Sequence, residues 1–494
     1  MRHALQFCLV SLTLACAPAK TATTCGEGTV LVGTECVAAD ADADADADTD
    51  TDTDADADTD TDTDTDADTD ADTGDTGEPA VPTTDVYLLA GQSNMVGFGQ
   101  VASLAPSLRV AQSDVRMYWS SAPSWRGLQP ASELSPLHFG PEVTFGRALA
   151  DGSDPLSEVH LIKHAVGGTA LHDYWYPGEF TGDPSQGAGY ATWWATVEAG
   201  LAALEAEGRT PIVRGMIWMQ GESDAVADWS ANAYADNLRH LIARVRDDTG
   251  VADLPFVTAQ IDCRDLCYWR DTVNGAMQTV AAEDDAVETF STEDLGRYPA
   301  DGWHYQGPGV RLMGERFAAA LLGESLPDHP VQAITVTGSP SWGYTGDFTL
   351  GWRFTLDRDV LVTDVGQFDI GLDGLIHGTT VVFYDAQTGS MVMQGSIPAT
   401  ETSPTPLVGW FVFAGIEPTV LPAGDYIVAL RTYAVNPDYY AYDTPATAAA
   451  GVELTEARWV WSTTLAFPYE SYATSAGSAA WLGPNFRFRE VSSE

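Results

Sequence analysis

The stretch Val86-Tyr87-Leu88-Leu89-Ala90-Gly91-Gln92-Ser93-Asn94-Met95 decides how the chain is to be read. Five apolar residues in a row, with no polar alternation, fit a strand buried on both faces. A glycine then ends the run, and a polar tripeptide follows where a strand would give way to a helix. A serine in that place sits at a strand's end, where its hydroxyl can face a crevice and its N–H can join an anion site. Taken alone, the same serine also reads as an ordinary helix N-cap.

The pattern repeats downstream. Further short apolar runs at 159–165, 212–219, 256–261 and 287–290 predict strands. Between them lie helical periodicities: in 231–246, Tyr234, Leu238, Leu241, Ile242 and Val245 recur on one face, and 196–207 and 309–322 behave alike. Strands alternating with helices over residues 84–328 predict an α/β domain with a parallel sheet covered on both faces, its site at the C-terminal strand ends.

The polar motifs fall at those ends. Ala165-Val166-Gly167-Gly168-Thr169 follows the second run, and Trp218-Met219-Gln220-Gly221-Glu222-Ser223-Asp224 the third. Glycines let backbone N–H groups point at an oxyanion, though they also serve a tight strand exit. Asp301-Gly302-Trp303-His304 precedes the last helix. An aspartate three residues before a histidine can accept from its Nδ1–H and leave Nε2 to take a proton.

Together the strings GQSNM, AVGGT, WMQGESD and DGWH resemble the SGNH-type hydrolases, in the branch of sialate O-acetylesterases and family 6, acetylxylan esterase-like carbohydrate esterases. The resemblance covers about half of the chain. It implies a three-layer α/β/α, flavodoxin-like domain and a serine esterase acting on an acetylated carbohydrate with no metal or cofactor. Ser93 would be the nucleophile, His304 the general base and acid, and Asp301 the residue orienting it, with Glu222 as alternative partner or support. The oxyanion hole would be the Ser93 N–H, the Gly168 N–H and the Gln220 amide. Gln92, Asn94, Thr169 and Trp303 would contact substrate. The same fold could instead act as a lipase or thioesterase, or survive as an inactive carbohydrate-binding protein.

From about residue 331 the helical periodicity disappears. Short runs at 352–356, 380–384, 410–413, 426–430, 458–461 and 486–488 predict an all-β sandwich over 331–494. Its aromatics, including Tyr439, Tyr440 and Tyr442, suit a sugar-binding surface or the core of a spacer module.

The 494 residues carry a formal charge of -48, and residues 40–83 hold nineteen acidic and no basic residues. From Asp40 to Asp72 every even position is aspartate, with only Ala or Thr between. Such a run has nothing to bury and repels itself, so it reads as a disordered tether reaching at most ~110 Å, at ~3.3 Å per residue. The only lysines are Lys20 and Lys163, which excludes a clustered basic surface for nucleic acid.

Residues 1–19 read as an export signal, with Arg2 ahead of an apolar stretch. Leu12-Thr13-Leu14-Ala15-Cys16 resembles a bacterial lipobox, which would lipidate Cys16 and leave the chain on the cell surface or outer membrane; the alternative is plain secretion. This anchor is the one membrane association expected. Residues 20–39 form a short cysteine-containing segment, and Cys25 with Cys36, and Cys263 with Cys267, are the disulfide candidates of an oxidising compartment. Their spacings match no zinc pattern.

Overall fold

The computed structural model describes residues 83–132, 135–153, 158–263, 266–298, 301–337, 341–342, 346–369, 375–399, 407–408, 410–434, 438, 440–472 and 479–491, with the backbone of 29–32 and 35–38. The chain divides into two compact units, Met1–Thr76 and Gly77–Glu494. In the first, Thr29–Val32 pairs antiparallel with Glu35–Ala38. The export signal, Cys16, Cys25, the side chain of Cys36 and the whole acidic run lie outside the described residues.

In the second unit, strands β1 (Thr83–Gly91), β2 (Gln112–Trp119), β3 (Ala122–Leu128), β4 (Val159–Ala165), β5 (Thr210–Met219), β6 (Phe256–Ala259) and β7 (Val287–Phe290) form one sheet in the order β7-β6-β5-β1-β4-β2-β3. All neighbours are parallel except β2 with β3. β1 is central, and Val86, Leu88, Leu89 and Ala90 are fully buried, as its unbroken apolar run requires. Helices α1 (Glu142–Asp151), α2 (Ala188–Ala206), α3 (Asp228–Thr249), α4 (Arg270–Glu283) and α5 (Gly307–Leu322) complete an α/β/α domain, with α1 packed on α5 and α3 on α4. Gly314 permits the first crossing, because a Cβ there would lie 2.2 Å from Thr144 Oγ1.

After β1 the chain runs out to β2 and β3 and returns through β4 to β1's side, then crosses to β5 on the other. The strand order therefore reverses at β1, and the carboxyl ends of β1, β4 and β5 open one crevice.

The C-terminal part is all-β. Strands β8 (Val331–Gln332), β9 (Phe348–Leu356), β10 (Val360–Phe368), β11 (Thr379–Asp385), β12 (Met391–Ile397), β13 (Leu407–Val408), β14 (Phe411–Leu421), β15 (Gly424–Thr432), β16 (Val452–Trp461), β17 (Glu470–Tyr472) and β18 (Pro484–Glu490) make two antiparallel sheets, β8-β18-β10-β14-β13 and β12-β11-β15-β9-β16-β17. Both feed one core that includes Trp352, Phe383, Val365, Phe413 and Phe486. Tyr440 is buried rather than displayed for a sugar, while Tyr439 and the side chain of Tyr442 fall outside the described residues.

Candidate active site

Three strand exits are locked together at the sheet's centre. Gly91 has φ +150°, and a Cβ on it would lie 2.1 Å from Met219 O, so only glycine lets β1 pass β5 this closely. Gln92 N donates to Met219 O at 2.9 Å, and Val166 N to Gly91 O at 3.1 Å. A single turn, Ser93–Val96, follows, its carbonyl at Gln92 accepting from Met95 N and Val96 N.

This turn leaves Ser93 half-buried at its start. Among the described residues, neither the Ser93 N–H nor the Gly168 N–H donates to a protein acceptor. A Cβ on Gly167 would sit 3.4 Å from Ser93 Cβ, so the exposed glycine pair after β4 lies against the serine. Two unspent backbone donors beside one hydroxyl are the elements of an oxyanion site.

The histidine arrives from the other end of the domain. Asp301 Oδ1 accepts from Trp303 N at 2.8 Å and His304 N at 3.0 Å, while Oδ2 lies 2.9 Å from His304 Nδ1. The aspartate thus both builds the turn and fixes the ring. A carboxylate only accepts, so Nδ1 carries the proton and Nε2 of the neutral ring is left as an acceptor. Phe98 stacks on the imidazole with centroids 3.6 Å apart and planes at 11°. Tyr298 holds that arrangement, donating from its hydroxyl to Phe98 O and from its N–H to His304 O.

Asn94 joins the two halves. Its Nδ2 donates to Glu222 Oε1 at 2.5 Å and to Trp303 O at 3.1 Å, and its Oδ1 accepts from Tyr305 N at 3.3 Å. The residue beside Ser93 therefore clamps both neighbours of His304. Glu222 serves Asn94, not the histidine. It is buried, its Oε2 has no partner, and burial, aided by the Asp224 charge against the Asn94 hydrogen bond, pushes its carboxyl up to about 7.

Gln220 lies beneath the crevice, fully buried. Its Nε2 is within hydrogen-bonding distance of Asp224 Oδ2 at 2.6 Å, Thr169 O at 3.0 Å and Gln92 Oε1 at 3.3 Å. Acting as an oxyanion donor would require giving up one of those bonds. Gln92, Asn94 and Thr169 are likewise buried and bonded inward, so they support the crevice where substrate contact was expected. Trp303 is half-buried and adjoins the histidine.

Three further residues shape the site. Phe98 carries no local signal, since its partner lies 206 positions away. Asp224 sits inside a quoted motif and accepts from Leu171 N, His172 Nδ1 and Gln220 Nε2, tying the β4 and β5 loops. His172 flanks the glycine block and takes the far side of that carboxylate. Cys263 and Cys267 form a disulfide, buried beside the Glu222 carbonyl. Leu266 within its loop reaches Gly302, where a Cβ would come within 3.0 Å of Leu266 Cδ1. Among the described residues no three of His, Cys, Asp and Glu converge as metal ligands.

Residues 83–323 match the family model described as carbohydrate esterase, sialic acid-specific acetylesterase. A probable carbohydrate esterase of Arabidopsis thaliana is 24% identical over 208 residues, covering 37% of this chain and 70% of its own. The crystal structure of an Arabidopsis thaliana protein aligns with 49% of this chain and 99% of that one at 20% identity and TM-score 0.40. A carbohydrate acetylesterase from Xanthomonas citri aligns with 79% of this chain and 80% of its own at 17% identity and TM-score 0.37.

Proposed function

We propose that the chain, whose residues 83–323 match the carbohydrate esterase model, removes O-acetyl groups from a carbohydrate through an acetyl-Ser93 intermediate. The observation that carries this reading is the His304 Nδ1 to Asp301 Oδ2 pair at 2.9 Å, clamped through Asn94 to the turn that bears Ser93.

His304 Nε2 takes the Ser93 proton as Oγ attacks the acetyl carbonyl. The oxyanion forms against the Ser93 and Gly168 N–H groups. Collapse breaks the bond to the sugar oxygen, which leaves with the proton from His304. Water, deprotonated by the same imidazole, then attacks the acetyl group and frees acetate and Ser93. Asp301 keeps the tautomer throughout and stabilises the imidazolium.

Ser93→Ala tests the scheme. Release of acetate from an aryl acetate and from an acetylated sugar should fall by at least about three orders of magnitude. Turnover at the parent's rate would exclude an acetyl-serine. Export belongs to the same proposal: the lipobox-like Cys16 would hold the enzyme on a membrane with the acidic run as its tether. Cys16→Ala should then move activity from the membrane fraction to the medium, and an unchanged distribution counts against the anchor.

A further inference from the structure

The mechanism leaves a second histidine–carboxylate pair without a task. His172 Nδ1 lies 2.9 Å from Asp224 Oδ1, the same distance that separates His304 from Asp301. Asp224 is fully buried and two hydrogen bonds from Gln92, the neighbour of Ser93, through Gln220 Nε2. His172 itself is partly exposed, so the pair faces outward at the carboxyl ends of β4 and β5. Beside it stands Trp229, 63% exposed at the start of α3, edge to face with the imidazole at 4.5 Å. An exposed indole beside an oriented imidazole offers a flat apolar face next to a hydrogen-bonding group.

The tautomer says what that something must offer. With Nδ1–H directed at a carboxylate, neutral His172 presents Nε2 as an acceptor and needs a ligand with a proton to donate. A sugar hydroxyl has one, on a neutral or an acidic sugar alike. The surrounding charge is what favours a neutral sugar. Asp173, largely exposed, places Oδ2 3.7 Å from His172 Nε2. A sialic acid held there would bring its carboxylate toward the Asp173 charge.

We propose that Trp229 and His172 form a sugar-binding wall of the crevice, the indole stacking on a pyranose ring and Nε2 accepting from a ring hydroxyl, and that the sugar is neutral. This rests on the acetylesterase reading and names its substrate class.

The test uses the full chain on three substrates: acetylated xylo-oligosaccharide, O-acetylated N-acetylneuraminic acid and a small aryl acetate. The parent should show a kcat/KM at least about tenfold higher on the neutral oligosaccharide than on the sialic acid. Trp229→Ala, at an exposed position that the fold does not need, should raise KM for the oligosaccharide about three- to tenfold, the range expected of one stacking contact. His172→Gln should act in the same direction, and both variants should lose more on the oligosaccharide than on the aryl acetate. Preference for the sialic acid, or equal losses on sugar and aryl ester, would overturn the proposal. The two readings separate cleanly, because an active Ser93→Ala removes the esterase mechanism, whereas an inactive Ser93→Ala beside an indifferent Trp229→Ala removes only the sugar wall.

Discussion

At the scale of single residues, the two carboxylates near the crevice have different partners and should have different phenotypes. Asp301 holds His304, so Asp301→Asn should leave the fold intact and lower kcat by about three to four orders of magnitude, as expected when the orienting acid is lost. Glu222 holds Asn94, and glutamine can still accept that bond, so Glu222→Gln should cost less than about tenfold. The reverse ranking in steady-state kinetics would exchange their roles. Glu222 also predicts a pH dependence of stability. An unfolded glutamate titrates near 4.3, whereas burial carries this one up to about 7. Between those values the folded state keeps a proton that the unfolded state has released. Stability therefore declines as pH rises through that window, by about 4 kcal/mol in all. Glu222→Gln removes that slope, so its Tm relative to the parent should be higher at pH 8 than at pH 5. Parallel Tm curves would show that the carboxyl is not strained.

At the scale of elements, what was legible depended on how regularly each one is buried. The five apolar runs were read correctly as strands, with ends within a few residues, because strands buried in a parallel sheet need no alternation. β2 escaped notice because Gln112, Ser113, Asp114 and Arg116 interrupt its apolar residues, and β3 because, as an antiparallel edge, most of Ala122–Leu128 faces water. α1 and α4 interrupt their apolar faces with glycine, threonine and asparagine. β10 carries Asp364 in mid-strand, a residue that belongs in a core only when an arginine from another element meets it. The disulfide was legible as a pair of cysteines, but its task was not. It closes a five-residue loop whose Leu266 rests on Gly302, next to Asp301. Replacing both cysteines by serine should cost about 2 kcal/mol from loop closure and lower kcat several-fold as that support loosens. Thermal unfolding and kcat with and without reductant check both; an unaffected kcat would make the bridge a matter of stability alone.

At the scale of the whole molecule, the esterase domain and the sandwich belong to one compact unit. Arg311 on α5, seven residues after His304, donates to both oxygens of Asp364 on β10 at 3.0 and 2.9 Å, all of it buried. Glu417 on β14 accepts from Ser107 N and Oγ, both at 2.8 Å, and Arg489 on β18 donates to Glu315 at 2.6 Å. Burial opposes ionisation of Asp364, but the Arg311 and Arg487 charges outweigh it and hold the carboxyl at about 2. Its stabilising contribution is therefore complete above an ordinary aspartate pKa near 4 and disappears as pH falls toward 2. Asp364→Ala strands Arg311 without its countercharge and should cost about 3–5 kcal/mol. A shift of less than about 1 kcal/mol in denaturant unfolding would mean that solvent reaches the pair. The formal charge of -48 divides along the same architecture, with nineteen acidic residues confined to 40–83 and the rest spread over the folded unit. That division, the alternation of strand and helix, the switch to short strands after residue 331 and the four strings of the esterase family were all determined by the sequence, because composition and burial period are local properties of a chain. The tertiary structure alone decided that Glu222 turns to Asn94 rather than to His304, that Gln220 is bonded beneath the crevice, and that the sandwich is bolted to the helix after His304. A side chain's partner is set by distances between residues scores to hundreds of positions apart, which only packing fixes.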